Sequence, residues 1–311
     1  MGTGLHSRIQ VTVELFYLLM IFASLRGFGL KILPAAFVFV LISTHGFAAA
    51  DELLARPSLS DGFALLYNLD FDQAHKLFAT YEQQNPDDPM GPVCDAAGFL
   101  FSEFNRLGIL ESQFYEDDKS FDGRKKQSPD PLIRDRFDAA LATAERLAKA
   151  KLARNSNNRD GLLAMTLSAG LKADYSALIE KRNLASLSLT KEASRWAQQL
   201  LAADPNCYDA YVATGVSKYI IGSMAAPVRW LLRMGGVNDD KSAGMNELQM
   251  TAEKGQYLAP FARILLAIAY VREKDKPRAR ELLTGLRQQF PNNSLFTREI
   301  ARLDGVKVVN P

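Results

Sequence analysis

The sequence contains little of what enzymes and metalloproteins most often use for chemistry. Only two cysteines and three histidines occur in 311 residues, and His75, predicted at an exposed helical position, is the only histidine after residue 50. A zinc site needs three or four closely spaced ligands, and a nucleophile needs an adjacent activating base. Neither a phosphate-binding glycine loop nor a G-x-S-x-G turn is present. We therefore expect no catalytic residue, metal or cofactor.

The sequence also lacks an excess of charge of either sign. The first 50 residues hold three basic residues and one acidic residue of the chain's 37 and 35, so the remainder has equal numbers of each. A neutral, mixed surface has no basic footprint for nucleic acid.

The two cysteines, Cys94 and Cys207, could form a disulfide in an exported protein. Nothing in the sequence brings them together, which favours two buried thiols over a disulfide.

Residues 1–50 predict an export signal. They contain two apolar runs of roughly a dozen residues, each shorter than the roughly 20 residues that a membrane-spanning helix needs. The second run follows two basic residues and precedes Ala48 and Ala50, which have the small-residue spacing of a signal peptidase site, so we expect cleavage before Asp51. The first run is not needed for this signal, and a true translation start at Met20 would explain why it is there. The alternative is an uncleaved membrane anchor that uses both runs.

A helical hairpin is the unit that recurs along the rest of the chain. In residues 62–86, leucines at helical spacing precede a polar step at 70–72, and a second apolar stripe follows it. Alanine and proline stand twelve residues apart at 74–86, 193–205 and 279–291. Proline ends a helix because it lacks an amide hydrogen and restricts the residue before it. A hairpin this short must stack on others to bury its apolar face.

This spacing resembles the tetratricopeptide repeat, in which a first helix with the pattern L-G-x2-Y is followed by A-x3-F and a closing proline. Ala74, Phe78 and Pro86 match the second helix, and residues 266–270 match the first as Leu-Ala-x2-Tyr. The resemblance implies an all-α fold.

The implied architecture is a right-handed solenoid of about five helical hairpins over residues 51–303. A closing helix at 294–303, capped by Ser294, would keep the end of the stack soluble. Residues 304–311 form a tail.

Two stretches interrupt the repeats. Residues 111–131 form a long polar connection whose segment 118–123 is similar to the start of a calcium loop, but the bidentate ligand position is Pro129, which favours a solvated loop. The apolar stretch 219–234 predicts an inserted helix packed on its own solenoid. Its alternatives are a membrane-surface helix and a lip that binds a partner.

The resemblance also assigns a concave surface, because the first helix of each unit lines that side in tetratricopeptide stacks. The residues selected by register are Phe63, Leu66, Tyr67, Phe101, Val216, Tyr219, Ile264 and Ile268. This surface is apolar and aromatic, and it lacks the lysines and asparagines with which the family holds a peptide carboxylate. It either binds an apolar helix or peptide, or is filled by the protein's own long units, or is the core of a closed superhelix.

The sequence therefore predicts a non-catalytic scaffold or adaptor that mediates protein–protein interaction in the bacterial cell envelope, with a protein or peptide partner. We expect an exported, periplasmic or envelope-associated protein, with membrane contact only through residues 1–50 or 219–234. One alternative is a membrane-tethered assembly factor with an uncleaved N-terminus. Another is an α/α enzyme that acts on glycans through paired carboxylates.

Overall fold

The computed structural model describes residues 58–110, 128–223 and 240–306, and all the regular structure in these residues is helical. The eleven helices there are, in chain order, α1 (Leu59–Tyr67), α2 (Phe71–Gln84), α3 (Met90–Arg106), α4 (Pro131–Arg154), α5 (Arg159–Asp174), α6 (Asn183–Ala203), α7 (Tyr211–Ser223), α8 (Lys241–Lys254), α9 (Ala259–Arg272), α10 (Lys276–Gln289) and α11 (Ser294–Leu303). A π-helical turn, Tyr175–Ile179, follows α5, and a short 3₁₀ helix, Tyr208–Ala210, precedes α7. The all-helical prediction is confirmed over these residues.

Several sequence predictions lie outside the described residues. These are the export signal at 1–50, the calcium-like segment of the connection after α3, most of the apolar stretch 219–234 and the end of the tail. None of the helices in the described parts of the chain is both long and apolar enough to span a membrane.

Polar side chains fix where most of the helices begin. An oxygen of the residue before the first turn accepts a backbone N–H bond, which satisfies a donor that the helix itself cannot pair. The capping residues are Ser58, Asp70, Asp130, Asn158, Asp240, Asp275 and Asn293. The predicted cap Ser294 is wrong, because Asn293 Oδ1 accepts from the Leu295 amide at 3.1 Å and Ser294 is the first helical residue.

The first and last hairpins turn in the same way. Leu69 and Lys274 have positive φ, and the following aspartates, Asp70 and Asp275, each donate an amide hydrogen bond back five residues and cap the next helix. A left-handed residue after a helix lets its last carbonyls find donors. The two hairpins predicted as repeats therefore share one turn geometry.

Each helix packs against the next one from α1 to α11, so the first ten form five successive pairs. Odd-numbered helices also meet each other, since α3 contacts both α1 and α5. On α4 a single stripe, at 137, 141, 144 and 148, is buried, whereas α3, α5 and α9 are buried on nearly all sides. A helix that is apolar around its circumference belongs to an interior layer. Helices α1, α3, α5, α7 and α9 form that inner layer and the even helices cover it, while α11 buries one face only.

The first and last units touch. The Tyr67 hydroxyl donates to the Tyr257 carbonyl at 3.2 Å, and Asn293 Nδ2 donates to the Tyr67 carbonyl at 2.8 Å. The Tyr67 ring also lies 5.4 Å from that of Phe290. Helix α1 is therefore fastened both to the turn between α8 and α9 and to the start of α11, and the row of units closes on itself.

Candidate functional site

The residues predicted for the concave surface lie on the inner helices α1, α3, α7 and α9, but they do not form one open face. Phe101 is half-buried and the other seven are buried. Phe63, Phe101 and Val216 line one pocket, while Leu66, Tyr67, Phe101 and Ile264 line a smaller one beside it. Tyr219 and Ile268 line neither of the two. Their role in binding stays a prediction.

The larger pocket, called the inner pocket below, has a volume of about 70 Å³ and is mostly apolar. Its walls come from every inner helix, α1, α3, α5, α7 and α9, together with α6. The residues that line it are Phe63, Val93, Ala97, Phe101, Thr166, Leu167, Gly170, Leu171, Ala173, Asp174, Thr190, Ala193, Asp209, Val212, Ala213, Val216, Leu258 and Phe261. Pockets of this composition, with few polar groups, are the usual ligand sites of proteins.

Asp174 is the unusual member of this lining. It is the last residue of α5, and only 3% of its surface is exposed. Its Oδ1 atom is buried and has no hydrogen-bond partner among the residues that the structure describes. Burial raises the pKa of this carboxyl well above its usual range, because a low-dielectric site disfavours the charged form. A buried carboxyl without a partner costs folding free energy. Such a group is a candidate for a role in binding.

Two threonines supply the other accessible polar atoms of the inner pocket. The Thr166 hydroxyl donates to the Leu162 carbonyl at 2.8 Å, and the Thr190 hydroxyl donates to the Ser186 carbonyl at 3.0 Å. Each hydroxyl hydrogen is therefore used within its own helix, and the oxygen lone pairs are left as acceptors.

Asp209 also lines the inner pocket, but its oxygens are occupied. They accept the backbone amides of Gln256, Tyr257 and Leu258 at 3.1, 3.0 and 2.8 Å. Burial raises its pKa, and these three bonds oppose that rise. A side chain on Gly255 would meet Asp209 Oδ1 at 2.9 Å, so the glycine leaves room for the carboxylate. Asp209 thus fixes the α8–α9 turn to the start of α7.

A second group of ionisable residues lies between α2 and α3. His75 is half-buried, with Nδ1 2.5 Å from Asp95 Oδ1 and its ring stacked on Phe99 at 4.1 Å, so the prediction of an exposed histidine is wrong. Glu82 is nearby, and burial, with a smaller contribution from Asp95, raises its pKa to about 7. Across the three described ranges, no group of three or more acidic, histidine or cysteine residues is arranged to hold a metal ion.

Both cysteines are buried free thiols. Burial raises the pKa of Cys94 well above its usual value and that of Cys207 to about 11. The thiolate is the reactive form, so neither residue is prepared to act as a nucleophile.

Comparison with protein-family models, curated proteins and solved structures finds no match for this chain.

Proposed function

We propose that the protein is a non-catalytic scaffold, built from right-handed hairpins of the tetratricopeptide type, that holds a protein partner in the bacterial cell envelope. The single observation that supports this best is the inner pocket. It lies among the first helices of successive pairs, and those helices line the binding side of tetratricopeptide stacks. The repeated turn at the first and last hairpins supports the assignment of the repeat type.

The size of the inner pocket favours one anchoring side chain over an extended segment. A volume of about 70 Å³ suits a single inserted group, and interfaces often concentrate their affinity in a few side chains held in desolvated pockets. Phe101, half-buried at this pocket, is the residue best placed to touch both the anchor and the partner's backbone.

Glycan hydrolysis has weaker support at the inner pocket. That reaction ordinarily uses two working carboxyl groups, one on each side of the bond that is broken. Of the two acidic residues there, Asp209 already accepts three backbone amides. Asp174 alone is available, which fits recognition better than acid–base chemistry.

Export to the periplasm follows from the sequence of residues 1–50 and is part of the proposal. The mass of the protein recovered from the envelope tests it. A chain that begins at Asp51 agrees with a cleaved signal, whereas a chain that retains residues 1–50 favours the tethered alternative.

Site-specific crosslinking tests the binding role. A photoreactive phenylalanine placed at position 101 should crosslink one partner in envelope fractions, and the same group at Leu132, 59% exposed on the outer helix α4, should not. Filling the pocket through Gly170→Leu should abolish the adduct at position 101. An adduct that is equally strong from both positions, or that survives the filled pocket, would contradict docking at the inner pocket.

A further inference from the structure

We infer that the inner pocket selects a primary ammonium at the end of an unbranched apolar chain, supplied by a lysine side chain of the partner, with Asp174 as its ion-pair acceptor. This inference rests on the proposed function, because it names the chemistry of the partner's anchor. Three observations support it: the polar atoms left available in the pocket, the arrangement of apolar wall and acid along α5, and the absence, within the described ranges, of a hydrogen-bond partner for Asp174 Oδ1.

The polar side-chain atoms available in the inner pocket are all acceptors once Asp174 is ionised. Asp174 offers a carboxyl group, and Thr166 and Thr190 offer oxygens whose hydrogens are already donated within their helices. Among the described lining residues there is no lysine, arginine or histidine. A ligand that brings donors and positive charge is therefore favoured, and an anionic ligand is disfavoured. A lysine ammonium has three donors and no acceptor.

The arrangement along α5 fits the shape of a lysine side chain. Gly170 lines the pocket, and a Cβ built on it would meet nothing within 4 Å, so the wall is open at this point. Asp174 follows one turn later, about 6 Å along the helix axis. A lysine stem of four methylenes also spans about 6 Å from Cα to the ammonium. A side chain that enters beside Gly170 can lay its methylenes against the apolar wall and reach the acid.

The energetics favour an ion pair over a neutral contact. Among the described residues, no charged neighbour contributes to the pKa of Asp174, and burial favours the neutral carboxyl in the free protein. A bound ammonium would favour the ionised form. An ammonium next to it would compensate the burial of both groups, provided that geometry is good. Arginine is less suitable, because its broad planar guanidinium requires two-point recognition, while lysine presents a compact charge on a slender stem.

Binding of small probes to the full chain tests the chemistry of the inner pocket. The probes are n-pentylamine, 1-pentanol and pentanoate, titrated at neutral pH with calorimetry or amide chemical shifts as the readout. We expect pentylamine to bind at least about tenfold more tightly than pentanol, a difference of about 1.4 kcal/mol, and pentanoate to bind least. Equal affinities for the amine and the alcohol would overturn the inference, and so would no binding of the amine.

Variants assign the selectivity to Asp174. Asp174→Asn should reduce pentylamine affinity to that of pentanol, and Gly170→Leu should abolish binding of both while leaving the acid in place. Asp72→Asn, an exposed position on α2, is the matched control and should bind like the wild type. Unchanged selectivity in Asp174→Asn would overturn the role of this residue.

Acetylation of the partner's lysines separates this inference from the proposed function. A crosslink at position 101 that disappears after acetylation supports both. A crosslink that survives acetylation leaves the scaffold proposal standing and overturns the lysine assignment. If pentylamine binds as expected but position 101 crosslinks no protein, the pocket chemistry holds and the assignment to a partner's lysine fails together with the proposed function.

Discussion

The substitution Asp174→Leu is expected to stabilise the protein at neutral pH, although it removes the proposed binding residue. The residue is 3% exposed, and its Oδ1 has no hydrogen-bond partner in the part of the chain that the structure describes. An unsatisfied buried polar group costs about 1–3 kcal/mol. Leucine removes that cost, and its side chain can extend into the inner pocket, whose volume is about 70 Å³. We therefore expect the free energy of unfolding to rise by about 1–3 kcal/mol near pH 4, and by more at neutral pH.

The gain should depend on pH with a defined sign. The pKa of Asp174 is raised in the folded state, so the folded chain holds this proton at pH values where the unfolded chain has lost it. Wild-type stability therefore falls as the pH rises from about 4, the ordinary pKa of aspartate, to the raised pKa. The slope in this window reaches about 1.4 kcal/mol per pH unit. The leucine variant lacks this loss, so its advantage should be smallest near pH 4.

Urea denaturation of wild type, Asp174→Leu and Asp174→Asn at pH 4, 5.5 and 7 measures this effect. The difference between wild type and each variant isolates the one carboxyl, because the remaining acidic residues are common to all three proteins. An advantage of Asp174→Leu that does not change with pH would refute the argument that the buried group titrates. A loss of stability at neutral pH would show that the carboxyl has a stabilising partner.

Three further outcomes are expected from the packing. Asn293→Ala should lower the free energy of unfolding by about 2 kcal/mol in urea denaturation, since it removes the helix cap and the hydrogen bond to the Tyr67 carbonyl. Asn292→Ala, at an exposed neighbouring position, should lower it far less. Gly244→Ala should lower the free energy of unfolding by about 1–3 kcal/mol, because the new Cβ would lie 2.7 Å from the Gly215 carbonyl oxygen. Gly170→Ala places its Cβ in open space and should raise the free energy of unfolding by up to about 1 kcal/mol. Equal melting temperatures for the two variants would contradict this expectation. Both buried cysteines should resist a thiol reagent in the native protein and react once it is unfolded, and rapid native labelling would contradict their burial.

Local rules were sufficient to predict the helices. The prolines after α2, α6 and α10 and the aspartates at 70 and 275 mark ends and starts that depend only on neighbouring residues. The one capping error, Ser294 in place of Asn293, arose because both residue types cap helices and stand side by side. These features are decided within one or two turns of the chain.

The burial of Asp174 could also be predicted from the sequence. It falls on the same helical face as Leu163, Leu167 and Leu171, within a helix that is apolar on nearly all sides. A single acid on such a face is informative, since acidic residues are almost never fully buried unless they are paired. By contrast, the half-burial of His75 depends on Asp95 and Phe99 of the next helix, and the apolar spacing of α2 does not predict these contacts.

The contact of α1 with the α8–α9 turn and with the start of α11 could not be predicted from spacing, and the inner pocket depends on it. Phe63 reaches the pocket from α1, and its ring also lies 5.7 Å from that of Tyr257 in the turn before α9. Phe101 and Phe261 face each other at 6.5 Å from α3 and α9. An open stack of the same helices would separate these pairs and leave the pocket without one wall. The polar bonds of Tyr67 with Tyr257 and Asn293 therefore hold α1 where it completes the pocket.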